Sequence, residues 1–162
     1  MEYLHFLTEE TEKFLPLHEE DKDKYIVLTC AKNEDKYLVE FVEHYLNLGF
    51  DKIIIADNND EPTIEDILSK YIKEGKVEIY DFRKVSYFQV QLYTIFAHKG
   101  NYKWCAYFDA DEFLELGSYS NIKDFLKPIT MFPSTIETLG EDLEIISKNY
   151  PNNFSLVIIN DK

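Results

Sequence analysis

"YIVLTCAKNEDKYLVEFVEHYLNLGFDKIIIADNND" fills residues 25–60 of the 162-residue chain, and its reading decides the fold. "YIVLTC" (25–30) is short, β-branched and apolar on both faces, the pattern of a strand buried within a sheet. The next stretch carries Leu38, Phe41, Val42, Tyr45 and Leu46 at helical spacing. Asn33 or Asp35 suits the start of that helix and Gly49 its stop. "KIIIAD" (52–57) is a second buried strand, and "NNDEP" after it is a turn. Two buried strands joined through a helix pair in parallel, by a right-handed crossover.

The same alternation continues downstream. "TIEDILSKYIKEG" predicts a second helix with Ile64, Ile67, Leu68, Tyr71 and Ile72 on one face and Gly75 at its end. "KVEIYDF" (76–82) is a third strand, "SYFQVQLYTIFAHKG" a third helix from a Ser86 cap to Gly100, and "KWCAYFD" (103–109) a fourth strand. We therefore expect an α/β fold with a mostly parallel central sheet and helices on both faces. Beyond it, "FLEL" is expected as a short strand, "SNIKDFLKP" and "GEDLEIISKNY" as short helices, and "FSLVII" (154–159) as a late strand. Residues 1–24 form a lead-in segment, and 25–162 are expected to make one domain.

The composition narrows the function. At 45% hydrophobic and 15% aromatic the chain is globular rather than disordered. Its 17 Lys and Arg against 31 Asp and Glu give a net charge of −14, which argues against nucleic acid as a partner. The start lacks the basic and apolar regions of a signal peptide, and no run reaches the roughly 18 apolar residues of a membrane span. Cys30 and Cys105 lie in apolar runs and are expected as reduced thiols at different heights, too far apart for a disulfide. That thiol state points to a cytoplasmic protein. The four histidines have no ligand spacing with the cysteines, so zinc is not expected.

Ligands of open α/β sheets bind beyond the carboxyl ends of the strands. Those ends here read Cys30-Ala31-Lys32-Asn33-Glu34, Asp57-Asn58-Asn59-Asp60, Asp81-Phe82-Arg83-Lys84 and Asp109-Ala110-Asp111-Glu112. Four polar ends on one edge predict a polar cleft. With neither G-x-G-x-x-G nor G-x-x-x-x-G-K-[ST] present, dinucleotide oxidoreductases and P-loop hydrolases lose their support. Asp109 and Asp111 can instead hold Mg²⁺ or Mn²⁺, which binds through one or two carboxylates plus phosphate oxygens. The spacing alone is weak, because Asp21-x-Asp23 shares it inside the charge run "HEEDKDK", expected to be solvated. What distinguishes Asp109 and Asp111 is their place directly after a buried strand.

The ordered set Lys32-Asn33-Glu34, Asp57-Asn58, Trp104 and Asp109-x-Asp111-Glu112-Phe113 resembles glycosyltransferases of the GT-A fold, family 2-like and family 92-like, over residues 25 to about 116. The resemblance implies that Cys30, Lys32, Asn33, Glu34, Asp57, Gln91, Asp109 and Ala110 bind a nucleotide-diphosphate sugar, a UDP-sugar first among them. It implies Asp109 and Asp111 as metal ligands, and Glu112 either beside them or orienting a neighbour. It further implies inverting transfer to a glycan or lipid-linked acceptor, in surface-polysaccharide or lipopolysaccharide synthesis, in the cytoplasm or peripherally at the inner membrane face. The sequence after Asp111 does not resemble the family's acceptor half, and Glu141-Asp142 reads as a helix-start pair rather than a catalytic one. The expected catalytic base is therefore unassigned, and the chain is expected to be shortened. A non-catalytic nucleotide-sugar-binding module is the alternative. A nucleotidyltransferase is a third reading, without the basic Gly-rich loop it needs.

Overall fold

A computed structural model describes residues 18–89, 92, 101–130 and 159–160. The strands are β1 (Tyr25–Ala31), β2 (Lys52–Asp57), β3 (Val77–Asp81), β4 (Trp104–Tyr107) and β5 (Ile159–Asn160). The helices are α1 (Asp35–Asn47), α2 (Ile64–Ile67), α3 (Ser69–Lys73) and α4 (Ile122–Thr130). The sheet order is β3-β2-β1-β4-β5, parallel throughout except for β5, which runs antiparallel to β4. The chain thus builds outward from β1 to β3 and then returns to place β4 on the other side of β1. That reversal sets the switch point of the sheet between β1 and β4.

Both faces of the sheet are covered. On one, Val27, Ile53, Ile55, Trp104 and Ala106 pack with Leu38, Phe41, Val42 and Tyr45 of α1, Ile64 of α2 and Ile122 and Leu126 of α4. On the other, Ile26, Leu28, Ile54 and Cys105 meet Phe82, Leu92 and Tyr102 from the segment joining β3 to β4. Strands buried on both faces explain why β1 and β2 carry continuous apolar runs. In that joining segment Phe88, Gln89 and Leu92 are helical. Ser86 and Tyr87 form a turn rather than the expected cap and first turn, Tyr87 at φ 53°. The remainder of the expected third helix, Gln91 included, lies outside the described residues, as do "GEDLEIISKNY" and most of "FSLVII".

Several expectations are corrected. Glu34 occupies the cap position of α1 without a side-chain bond, rather than Asn33 or Asp35 capping it. The single helix expected over residues 63–75 is two short ones, because Leu68 leaves helical geometry (φ −105°, ψ 16°). The break turns Ile67 outward, 40% exposed, while Ile64 and Leu68 stay buried. "FLEL" forms no strand; its backbone partners come from α1, as described below. Asn121 caps α4, its side chain accepting from the Lys123 N–H at 2.8 Å. The two cysteines form no disulfide, and Cys105 pairs in register with Ile26, four residues below Cys30.

The largest correction concerns Asp21. It is not solvated but 4% exposed, in a 3₁₀ turn (Glu19–Asp21) beneath the amino ends of the strands. Lys52 Nζ lies 2.7 Å from Asp21 and 2.6 Å from Glu78, Lys24 Nζ lies 2.9 Å from Asp21, and His18 Nε2 lies 2.8 Å from Glu78. Burial opposes ionisation of Asp21, yet the two lysines outweigh it and hold the carboxyl below its ordinary value. A buried lysine needs such partners, so the charge run serves as an anchor rather than a solvated face.

Candidate functional site

The register aligns the strand ends predicted to share an edge. Ala31 pairs with Asp57 and Asp57 with Asp81, while Leu28 pairs with Tyr107. Cys30, Lys32, Glu34, Phe88, Gln89, Asp109, Ala110 and Asp111 line one cavity of about 280 Å³, at the β1–β4 switch point. A neighbouring cavity of about 500 Å³ opens between the β2 and β3 ends and includes Lys32, Asn58, Lys84, Ser86, Tyr87 and Phe88. A third, of about 440 Å³, is lined by Asn33, Asp35, Asn59 and Thr63 among others. Lys32 and Phe88 belong to both of the first two, which makes one continuous polar cleft along the edge.

The loops after β1 and β2 hold each other in place. Asn33, at φ 59°, donates its N–H to the Asn59 side chain at 2.7 Å. Asn59 donates to Asp35 at 2.9 Å, and the Thr63 hydroxyl donates to the same carboxylate. Asp57 is 2% exposed and accepts the Asn59 N–H at 2.9 Å. Burial pushes its carboxyl above the ordinary value, against the opposing pull of that bond and of Arg83. Asp81, by contrast, is gripped by Arg83 through two side-chain bonds of 2.9 and 2.8 Å, which hold it below the ordinary value. Its carboxylate is thereby engaged within its own loop.

Asp109 and Asp111 are exposed at the cavity, whereas Trp104, Tyr107, Phe108 and Ala110 are buried. Partial burial and the neighbouring Glu112 and Asp111 charges raise the Asp109 carboxyl. Glu112 closes the turn: its carboxylate accepts the Asp109 N–H at 2.9 Å, and its own N–H donates to the Asp109 carbonyl at 3.0 Å. Among the described residues no group of three or more His, Cys, Asp or Glu is arranged to hold a metal unaided. Gln89 donates to Asp109 at 3.2 Å. Sequence reasoning missed it, together with Tyr87, and favoured Gln91, while Lys84 stands among the polar strand ends read from the sequence. In "FQVQL" either glutamine suits the position, and Gln91 lies outside the described residues.

The family model for glycosyltransferase family 92 matches residues 27–155, most of the chain. The chain belongs to glycosyltransferase family 92. A family 92 protein of Ricinus communis is 28% identical over 116 residues, covering 68% of this chain and 20% of that protein. The solved structure of S. aureus TarS superposes with a TM-score of 0.53 at 16% identity, over 67% of this chain and 20% of TarS. That likeness supports the GT-A-like α/β fold. The chain therefore spans about one fifth of the length of these relatives. Family 92 membership gives the strand-end cleft a context: the matched region holds all four polar strand ends.

Proposed function

We propose that this chain carries the donor-binding region of a metal-dependent glycosyltransferase. The donor is a nucleotide-diphosphate sugar, a UDP-sugar first among them, in the cleft between β1 and β4. The observation that carries the proposal is the pair Asp109 and Asp111, exposed at one cavity with Cys30, Lys32, Glu34 and Ala110 at the switch point of the sheet. Asn33 and Asp57 adjoin that cleft, and Gln91 is retained from the resemblance alone.

The residues fit a hard divalent cation, Mn²⁺ or Mg²⁺. Asp109 and Asp111 stand exposed one residue apart at the cavity, and two such carboxylates leave further coordination positions for diphosphate oxygens. When bound, such a cation neutralises charge developing on the leaving diphosphate. Lys32 supplies a second positive charge to the diphosphate, and the loop bearing Asn33 shapes the side of the cleft.

Transfer then runs as a displacement. The acceptor hydroxyl oxygen bonds to the anomeric carbon from the face opposite the diphosphate. The bond from that carbon to the diphosphate oxygen breaks, and its electron pair leaves with the nucleoside diphosphate. A carboxylate base, unassigned, takes the hydroxyl proton, and the anomeric centre inverts. We infer a glycan or lipid-linked acceptor in surface-polysaccharide synthesis, on the cytoplasmic side. The resemblance of residues 25–116 is the support for that setting.

The test is release of nucleoside diphosphate from a panel of nucleotide sugars with candidate acceptors. Release that needs Mn²⁺ and disappears in Asp111→Asn is the expected result. Donor binding with no release from any sugar would instead favour the non-catalytic module.

A further inference from the structure

Tyr45 lies on α1, yet its hydroxyl bonds with the loop that follows Asp111. Its hydroxyl donates to the Glu112 carbonyl at 2.7 Å and accepts the Leu114 N–H at 3.0 Å. Its ring stacks on Phe108, the residue before Asp109, with centroids 4.8 Å apart and planes 19° apart. One fully buried side chain thus bonds the main chain after the Asp109–Asp111 segment and stacks on the side chain before it. Its neighbour His44 places Nε2 at 2.8 Å from the Leu114 carbonyl, and since a carbonyl only accepts, that nitrogen donates.

We propose that Tyr45, supported by His44, is a positioning residue that fixes the placement of the Asp109 and Asp111 carboxylates for a divalent cation. The inference rests on the donor-site reading above and adds a role that reading does not assign. Residues 113–116 form neither helix nor strand, so their backbone groups need partners from elsewhere. Tyr45 and His44 supply two of them, both at Leu114, and Tyr45 adds a third at the Glu112 carbonyl just before. A phenylalanine at position 45 would fill the same core volume and stack as well on Phe108. The hydroxyl is therefore the part that serves the loop, and burying it is tolerable only because the loop satisfies it. Burial also raises the Tyr45 phenol well above its ordinary value, which keeps it a proton donor. The grip reaches Asp109 through Glu112, whose carbonyl binds Tyr45 while its carboxylate binds the Asp109 N–H.

The test uses Tyr45→Phe, His44→Ala and His44→Gln, with Tyr71→Phe as a control that removes a hydroxyl bonded to Glu43 away from the loop. Mn²⁺ binding is read by electron paramagnetic resonance, with and without UDP, and exchange of the Leu114 amide by NMR. Tyr45→Phe is expected to keep the fold, speed Leu114 exchange and weaken Mn²⁺ binding about 10- to 100-fold, the usual cost of losing an outer partner of a metal ligand. His44→Ala should weaken binding in the same direction, and His44→Gln, whose amide can still donate to Leu114, should restore it. Tyr71→Phe should bind as wild type does. If Tyr45→Phe fails to fold, the two His44 variants decide the matter. Wild-type binding with unchanged affinity in the loop variants would overturn this inference alone. A wild-type protein that binds Mn²⁺ neither alone nor with UDP would overturn the donor-site reading, and this inference with it.

Discussion

Asp21 and Asp109 begin the same D-x-D spacing and meet opposite fates. Asp21 is buried against Lys52 and Lys24, while Asp109 stands exposed at the cleft. Nothing within "HEEDKDK" announces a lysine 31 positions away, so the local sequence could not separate an anchor from a solvated run. The pairing has a consequence with a definite sign. Asp21 is held below its ordinary value of 3.8, so the stability it contributes is full above that value and is lost as pH falls further. Lys52 is held above its ordinary 10.5, burial opposing and Asp21 and Glu78 prevailing, so its contribution is lost only as pH rises past that value. Asp21→Asn should cost about 3 kcal/mol at neutral pH, the lower end for breaking a buried pair, because Glu78 still faces Lys52. Urea unfolding across pH should show the acid limb flattened in this variant. Gly49 is a second case. At φ 96°, an added Cβ would stand 2.5 Å from Asn121 Nδ2, the cap of α4. Gly49→Ala should lower stability by about 2 kcal/mol, through left-handed strain and the lost cap, measurable as a shift in urea midpoint.

Elements were legible where burial on two faces wrote a continuous signal. β2 covers residues 52–57 as read, and β1 extends one residue past its reading, to Ala31. Helical spacing found the buried face of α1 correctly at Leu38, Phe41, Val42 and Tyr45. It failed over residues 63–75, because periodicity does not register a single residue leaving helical geometry at Leu68. The strand expected at "FLEL" failed too: Leu114 and Leu116 are buried and Phe113 partly buried beside α1 rather than in a sheet. The loop after β2 shows why some polar motif residues are structural. Asn58 is 7% exposed and donates to the Phe82 carbonyl at 2.6 Å, tying the β2 end to the β3 end. Asn58→Ala should cost about 1–3 kcal/mol, the penalty of leaving a buried acceptor unpaired, and thermal unfolding would report it.

At the scale of the whole molecule, the fold concentrates its chemistry at one edge. A chain of net charge −14 brings Lys32 beside Asp109 and Asp111 where β1 and β4 part. The sequence made this edge legible, since all four polar strand ends could be collected from the alternation of strand and helix. The order β3-β2-β1-β4-β5 could not be read from that alternation, and it is the order that selects the β1–β4 crevice. Gln89 and Tyr87 escaped for a related reason: their place depends on where one connecting segment crosses the sheet. We propose that Asp109 and Asp111 hold a divalent cation that binds a nucleoside diphosphate at this edge. Calorimetric titration with UDP, with and without Mn²⁺, on wild type and Asp111→Asn tests it directly. The account predicts UDP binding that requires Mn²⁺ and is lost in Asp111→Asn; binding that is independent of Mn²⁺ and unaffected by the substitution would contradict it.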